Sequence, residues 1–270
     1  MIESSVVIHG HRGSRGTHPE NTLPSFQEAR DVGAAFVELD VHLSKDGHVV
    51  VFHDFEISGK LCKDSSGEPV RGKIPLSELT LAQIQSYECG STKLPGFPFQ
   101  MACPGARIPT LEEVIRWKLQ EAPNMSLNIE IKREEEPKPY RPSAEQLSES
   151  VVSLIHQYGI ASTSLVQSFD LEVVRAVRKL DSKLKLSCLF EEEADFAQIT
   201  LNHGAQVVAP YHRLLTEDHF EACLEAGLEV LPWTVNEPDD WERLIDLGVR
   251  SIITDYPRKL GEYVALTVVE

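Results

Sequence analysis

The sequence predicts an α/β fold, a closed (β/α)8 TIM barrel carrying a small insertion, on three observations. Short β-branched runs alternate with amphipathic helical patterns almost throughout. Eight of the runs can serve as parallel strands, beginning at residues 5, 36, 125, 164, 183, 205, 228 and 250, and 270 residues suffice for one large core. An open doubly wound sheet would alternate in the same way.

Taken in order, SVVIHG (5–10) is the first strand and a helix runs from about Thr22 to Val32. FVELDVHLS (36–44) and HVVVF (48–52) flank Lys45-Asp46-Gly47, a hairpin turn in which Gly accepts positive φ at no steric cost. Residues 55–108 are rich in Gly and Pro, with a single helix near Leu76–Ser86, and read as an insertion within one domain spanning 1–270. Alternation resumes at Thr110, which with Glu113 forms a capping box, followed by strand MSLNIEIK (125–132). REEEPKPYRP (133–142) reads as a solvated loop. Helices are then expected at 144–158, 170–180, 193–202, 216–226, 238–247 and after Pro257, between strands at 164–168, 183–189, 205–210, 228–235 and 250–254.

Hydrophobic content of 41% and charged content of 25% are those of an ordinary globular chain. A net charge of −16 opposes binding to nucleic acid and to anionic membrane surfaces, so an anionic small-molecule substrate needs local positive charge or a cation. No apolar run approaches the roughly 20 residues that cross a bilayer, and MIESSVVIHGHRG lacks a signal-peptide pattern, which points to no membrane insertion and a cytoplasmic location. Five cysteines, Cys62, Cys89, Cys103, Cys188 and Cys223, are odd in number and lack CxxC spacing; they read as buried small apolar residues or bystanders, not as a disulfide framework or a zinc site.

In such a barrel the working residues lie where strands end. The first strand ends at His11 and Arg12, the second at Glu38 and Asp40, and its hairpin returns at His53 and Asp54. Later strands end at Glu130 and Lys132, at Gln167, Ser168 and Phe169, at Trp233 and Asn236, and at Asp255. Glu38 shares a strand face with Asp40, and Glu130 with Lys132. Acids inside buried strands are costly unless paired or bound to a cation, and an all-oxygen donor set suits Mg²⁺ or Ca²⁺ better than zinc. The alternative is a buried ion-pair network of Glu38 and Asp40 with Arg12 and Lys132. His11 and His53, at one barrel mouth, can divide general-base and general-acid work. His18, His48, His156, His203, His212 and His219 lack such company and read as structural; His42 reads as packing or supporting the site. Phe169 and Trp233 are either core aromatics or a wall for the substrate.

Together HRG (11–13), PENT (19–22), ELDV (38–41), KDG (45–47), VVFHD (50–54), PTLEEV (109–114), IEIK (129–132), WTVN (233–236) and TDYP (254–257) resemble the glycerophosphodiester phosphodiesterase family. The resemblance implies a TIM barrel with a small insertion after the second strand's hairpin, and metal-dependent hydrolysis of glycerophosphodiesters to an alcohol and sn-glycerol 3-phosphate with Mg²⁺ or Ca²⁺. By matching motif it implies His11 and His53 as the acid/base pair, Glu38, Asp40 and Glu130 as metal ligands, and Arg12 and Lys132 as phosphate contacts. It further implies attack by the glycerol's own 2-hydroxyl and a cyclic phosphate intermediate. Glu20 and Asn21 are expected to cap and fix the first helix and its neighbours and not to do chemistry. The stretch FEISGKLCKDSSGEPV after Asp54, and Ser44 where Thr is common, depart from the family pattern without touching those residues. Two alternatives stand: a lysophospholipase D type activity, for which LPGFPFQM (94–101) would supply a greasy lip or else only the insertion's own core, and an inert polyol-phosphate-binding module.

Overall fold

Eight parallel strands of the computed structural model, which describes residues 6–133 and 142–267, form the barrel. They are β1 (Val7–Gly10), β2 (Phe36–Leu43), β6 (Ser126–Ile131), β7 (Ser164–Ser168), β8 (Lys185–Phe190), β9 (Val207–Pro210), β10 (Glu229–Val230) and β11 (Ser251–Thr254). Their order is β10-β9-β8-β7-β6-β2-β1-β11. The ring closes between its ends, where Ile253 N–H donates to Pro232 O at 3.0 Å and Val235 N–H to Ile253 O at 2.9 Å. A closed ring, not an open sheet, is therefore what the alternation builds.

β3 (Val49–Val51) turns back antiparallel on β2, with Gly47 at φ 83° making the turn that Asp-Gly predicts. Between β3 and α3 (Leu111–Glu121), strands β4 (Glu56–Ser58) and β5 (Lys73–Pro75) pair with each other, and the segment has its own apolar cluster built on Ile57, Leu76, Ile84 and Ile108. The helix expected over 76–86 is broken: a 3₁₀ turn at Leu76–Glu78 is followed by α2 (Leu81–Ile84), which Thr80 caps with Gln83. A Thr side chain and a Gln three residues on start a new helix more effectively than they continue an old one.

α1 (Leu23–Asp31), α4 (Ala144–Gln157), α5 (Leu171–Leu180), α6 (Phe196–Asn202), α7 (Glu217–Glu225), α8 (Pro238–Leu247) and α9 (Pro257–Thr267) complete the outer layer. Strand periodicity sorts the core. Val37, Leu39 and Val41 face outward into the main apolar cluster, whereas Phe36, Glu38 and Asp40 alternate with them and face the barrel interior. The interior is itself divided: Leu165, Leu189, Val207, Ala209, Leu231 and Ile253 pack an apolar side, and Glu38, Asn128 and Gln167 a polar one.

Two expectations need correction. The strand expected over 228–235 keeps a regular ladder only at Glu229–Val230, because Pro210 on β9 has no N–H to give the carbonyl of Leu231; Trp233 rejoins through a bridge to Tyr211. Cys62 and Cys89, 27 residues apart, form a disulfide in the insertion, contrary to the reading of all five cysteines as unpaired. Lys63 and Glu88 exchange backbone hydrogen bonds at 2.7 and 3.0 Å and bring the sulfurs together; an odd total simply leaves Cys103, Cys188 and Cys223 free. Most of the acidic loop expected over 133–142 lies outside the described residues.

Candidate active site

Strand register carries the acids together. β2 and β6 pair so that Asp40 lies beside Glu130 and Glu38 beside Asn128, and all these side chains enter the barrel. Glu38, Asp40 and Glu130 are buried and each offers a carboxylate oxygen within 4.8 Å of the others. Burial raises the Glu38 pKa well above the ordinary carboxylate range, and the charges of Asp40 and Glu130 push it further. Glu130 is raised for the same first reason, against the pull of Lys132. Burial would raise Asp40 too, but Arg12 and Lys132 outweigh it and hold that carboxyl below its usual range.

Both cations expected at the phosphate touch these acids. Arg12 Nε lies 3.3 Å from Asp40, and Lys132 Nζ lies 3.0 Å from Glu130 and 3.6 Å from Asp40. The ion-pair network is thus present at Asp40 and Glu130. At Glu38 it is not: Oε2 accepts the Arg12 backbone N–H at 2.8 Å and lies 4.0 Å from His11 Nε2, while Oε1 receives Gln167 Nε2 at 3.5 Å. A buried acid with no Lys or Arg side chain of its own among the described residues is a group that a divalent ion would satisfy.

The first loop arranges its own residues by left-handed backbone at Arg12 (φ 49°) and Asn21 (φ 56°). Glu20 and Asn21 do not cap the first helix; Thr22 does, accepting from Ser25 N–H. Glu20 instead receives Arg12 Nη1 at 2.7 Å and Arg15 Nε at 2.6 Å, and Asn21 Nδ2 donates to Asp40 Oδ2 at 2.8 Å. Both orient charged side chains of the cluster.

Each histidine has a carboxylate behind it. His11 Nδ1 donates to Asp255 Oδ1 at 2.7 Å, across the closure of the first strand against the last, and His53 Nδ1 donates to its neighbour Asp54 at 2.7 Å. His11 lies beside Glu38, and the hairpin strand that leads into His53 is tied to the cluster by Phe52 N–H donating to Asp40 O at 3.0 Å, so both histidines come from loops that border the carboxylates. Burial lowers the His11 pKa, against the pull of Asp255. His42 donates Nε2 to the His53 carbonyl at 3.1 Å and so supports the loop, its pKa lowered to about 4 by burial and Lys132. Phe169 and Trp233 meet edge to face at 5.4 Å, with Trp233 Nε1 fixed to Ala209 O at 2.8 Å. Of the strand-end residues that the sequence marks without assigning a role, Gln167, Asn236 and Asp255 join the cluster's hydrogen bonds, and Glu20 and Asn21, expected at the helix start, join them too.

The Glycerophosphoryl diester phosphodiesterase family model matches residues 11–259. The chain belongs to that family. A glycerophosphodiester phosphodiesterase from Caldanaerobacter subterraneus subsp. tengcongensis is 31% identical over 256 residues, covering 94% of this chain and 96% of the relative. A lysophospholipase D from Rattus norvegicus is 28% identical over 292 residues, covering 94% and 84%. A crystal structure from Silicibacter pomeroyi DSS-3, of a protein assigned as a glycerophosphoryl diester phosphodiesterase, superposes with a TM-score of 0.91 at 27% identity, covering 99% of this chain and 95% of the other. The phosphodiesterase barrel is therefore the fold, and the protein is an enzyme of this class, a phosphoric diester hydrolase. An inert binding module is set aside.

Proposed function

We propose that the enzyme hydrolyses glycerophosphodiesters to an alcohol and sn-glycerol 3-phosphate with a divalent cation, Mg²⁺ or Ca²⁺, held by Glu38, Asp40 and Glu130. The observation that carries the reading is that these three buried carboxylates converge within 4.8 Å beside His11. Their donor set fits a hard cation: all three offer oxygen, and Glu38, whose pKa is raised first by burial and then by the charges of Asp40 and Glu130, is a carboxyl whose ionised form a cation stabilises. When bound, the cation stabilises negative charge gathering on the phosphoryl oxygens.

The chain's own residues then divide the work. Arg12 and Lys132 hold the phosphate on one side of the cluster. One of His11 and His53 takes the proton of the glycerol 2-hydroxyl as its oxygen attacks phosphorus, and the other gives a proton to the departing alcohol oxygen. The cyclic phosphate left behind is opened by water with the two proton transfers reversed. No Ser or Cys nucleophile is needed, because the attacking hydroxyl belongs to the substrate and profits from its proximity. Phe169 and Trp233 form an apolar wall against the glycerol or the alcohol.

Release of product from glycerophosphocholine and glycerophosphoethanolamine, with Mg²⁺, Ca²⁺ and chelator, tests this together with His11→Ala and His53→Ala. Calorimetric titration with each ion supplies a readout besides turnover: Glu38→Gln and Asp40→Asn should bind it more than about tenfold more weakly. Full activity in chelator, or undiminished ion binding by both variants, would overturn the cation's place.

A second reading, turnover of lysophospholipids, is favoured by the insertion. Phe99 and Met101 are 70% and 55% exposed, whereas Phe97 packs on the insertion's own core and lies under Arg15 at 4.8 Å. An exposed aromatic and thioether near the Arg15 loop suit an acyl chain. Phe99→Ser with Met101→Ser should lower turnover of a lysophospholipid at least severalfold while sparing glycerophosphocholine; equal effects on both remove this reading.

A further inference from the structure

The acid/base role proposed for His11 requires one nitrogen of the ring to be unprotonated and to face the reacting atoms, and a neutral imidazole in isolation takes either tautomer. We infer that Asp255, itself oriented by Asn236, is a positioning residue that fixes His11 with its proton on Nδ1 and its free lone pair on Nε2. This rests on the acid/base reading, but the arrangement behind it is independent of any substrate.

Its logic follows from which atoms can only donate. The backbone N–H of Asp255 donates at 2.9 Å to the Asn236 side-chain atom facing it, and because an N–H can only donate, that atom is the carbonyl oxygen Oδ1. Thr254 Oγ1 donates to the same oxygen at 3.2 Å. Asn236 Nδ2 is thereby turned toward Asp255, where it donates to Oδ2 at 2.7 Å. Oδ1 is left for His11 Nδ1–H at 2.7 Å, with Arg15 Nη1 3.8 Å away to keep the carboxyl ionised. Asp255 is almost wholly buried, and the His11 backbone N–H donates to Thr254 O at 2.9 Å, so the pairing of β1 with β11 fixes the backbones from which both side chains extend. Nε2 consequently faces the carboxylate cluster, 4.0 Å from Glu38. The other dyad lacks this backing: Asp54 is half-buried, and the cation near its second oxygen is an exposed lysine, Lys60, at 4.0 Å.

The arrangement makes an exchange experiment decisive. In Asp255→Asn the fixed Asn236 Nδ2–H claims the new carbonyl oxygen, so the new amide N–H₂ faces His11 Nδ1 and forces the proton to Nε2. Adding Asn236→Asp reverses this: the carboxylate at 236 accepts both the backbone N–H and the amide of the new residue, whose carbonyl oxygen again faces His11 Nδ1–H. Imidazole ¹⁵N correlation spectra of the folded proteins should therefore show Nδ1–H in wild type, Nε2–H in Asp255→Asn, and Nδ1–H restored in the double exchange. Turnover of glycerophosphocholine should fall on the order of 10²-fold or more in kcat for Asp255→Asn, with KM moved less than about threefold, and should recover at least about tenfold in the double exchange. An unchanged tautomer in Asp255→Asn, or a double exchange that folds without regaining Nδ1–H, overturns the inference. If the tautomers switch as stated while wild type turns over no diester, positioning stands and the acid/base reading of His11 is what fails.

Discussion

The backbone N–H of Arg12 donates to Glu38 Oε2 at 2.8 Å, tying the first loop to the carboxylate cluster at an atom that no side-chain replacement removes. That bond is reached through left-handed backbone at Arg12 and at Gly13, where φ is 87°. A side chain at Arg12 costs roughly 1–2 kcal/mol in this region and is tolerated because Glu20 and Asp40 hold the guanidinium. Gly13 has no such latitude, since an added Cβ would lie 2.6 Å from the Ser25 carbonyl carbon. Gly13→Ala should destabilise by more than about 2 kcal/mol in urea unfolding and weaken divalent-ion binding. A loss below about 0.5 kcal/mol would show that the loop does not need this path.

Lys132 tests whether the cations serve the substrate or only the fold. Its ammonium lies among Asp40 and Glu130, and its removal leaves the acids to repel one another, a cost that a bound divalent cation offsets. Lys132→Ala with saturating cation should keep its unfolding temperature near that of wild type while kcat/KM for the diester falls about 10²–10³-fold, the usual loss when one charged donor to a transition state is deleted. Unchanged turnover would leave the lysine as a structural partner of the acids.

His9 makes the pH dependence of stability readable. It is buried in the barrel, stacked on Phe36 with ring centroids 4.0 Å apart, and its Nδ1 has no hydrogen-bond partner among the described residues. Burial, and then the charge of Lys185, lowers its pKa from 6.5 to about 3. The folded protein thus favours the neutral ring, and the unfolded chain binds the proton more readily. This contribution is fully present above pH 6.5 and is lost as pH falls from there toward 3. Between pH 7 and pH 5 the wild type should lose about 2 kcal/mol that His9→Leu does not lose. Equal losses from both proteins in paired urea titrations would remove His9 as the source.

Much of this architecture is visible in the chain before any fold is known, for a physical reason. Parity within a strand places Glu38 with Asp40, and β-branched runs mark the strands that carry the site, with helical patterns between them. The register of β2 against β6, which brings Glu130 to Asp40, follows only once the strands pair. His11 and Asp255 stand 244 residues apart, and the closure of β1 on β11 alone makes them partners. Asp255 is recognisable as a strand end; its bond to a histidine, and Asn236 behind it, is not. Glu20 and Asn21 carry the residue types of a helix start, and the left-handed turn at Asn21 is what redirects them into the site.

The disulfide is the feature that residue counts concealed, and it bears on the insertion alone. Cys62 and Cys89 belong to that segment's apolar cluster, whereas Cys188 is buried in the barrel core and Cys223 on the helix layer. Bridging residues 27 apart removes chain entropy worth about 3–4 kcal/mol from the open form of the segment. Denatured protein prepared without reductant should therefore titrate three thiols, Cys103, Cys188 and Cys223, and five after reduction. Proteolysis should then cut reduced protein within residues 55–108 well before it cuts the barrel, and Cys62→Ser with Cys89→Ser should behave like reduced wild type. A reducing compartment would keep the two cysteines as thiols, so alkylation of freshly quenched cells adds a direct reading of the compartment. Five reactive thiols before any reductant is added, in protein exposed to air, would mean that the insertion is held by its apolar cluster and not by sulfur.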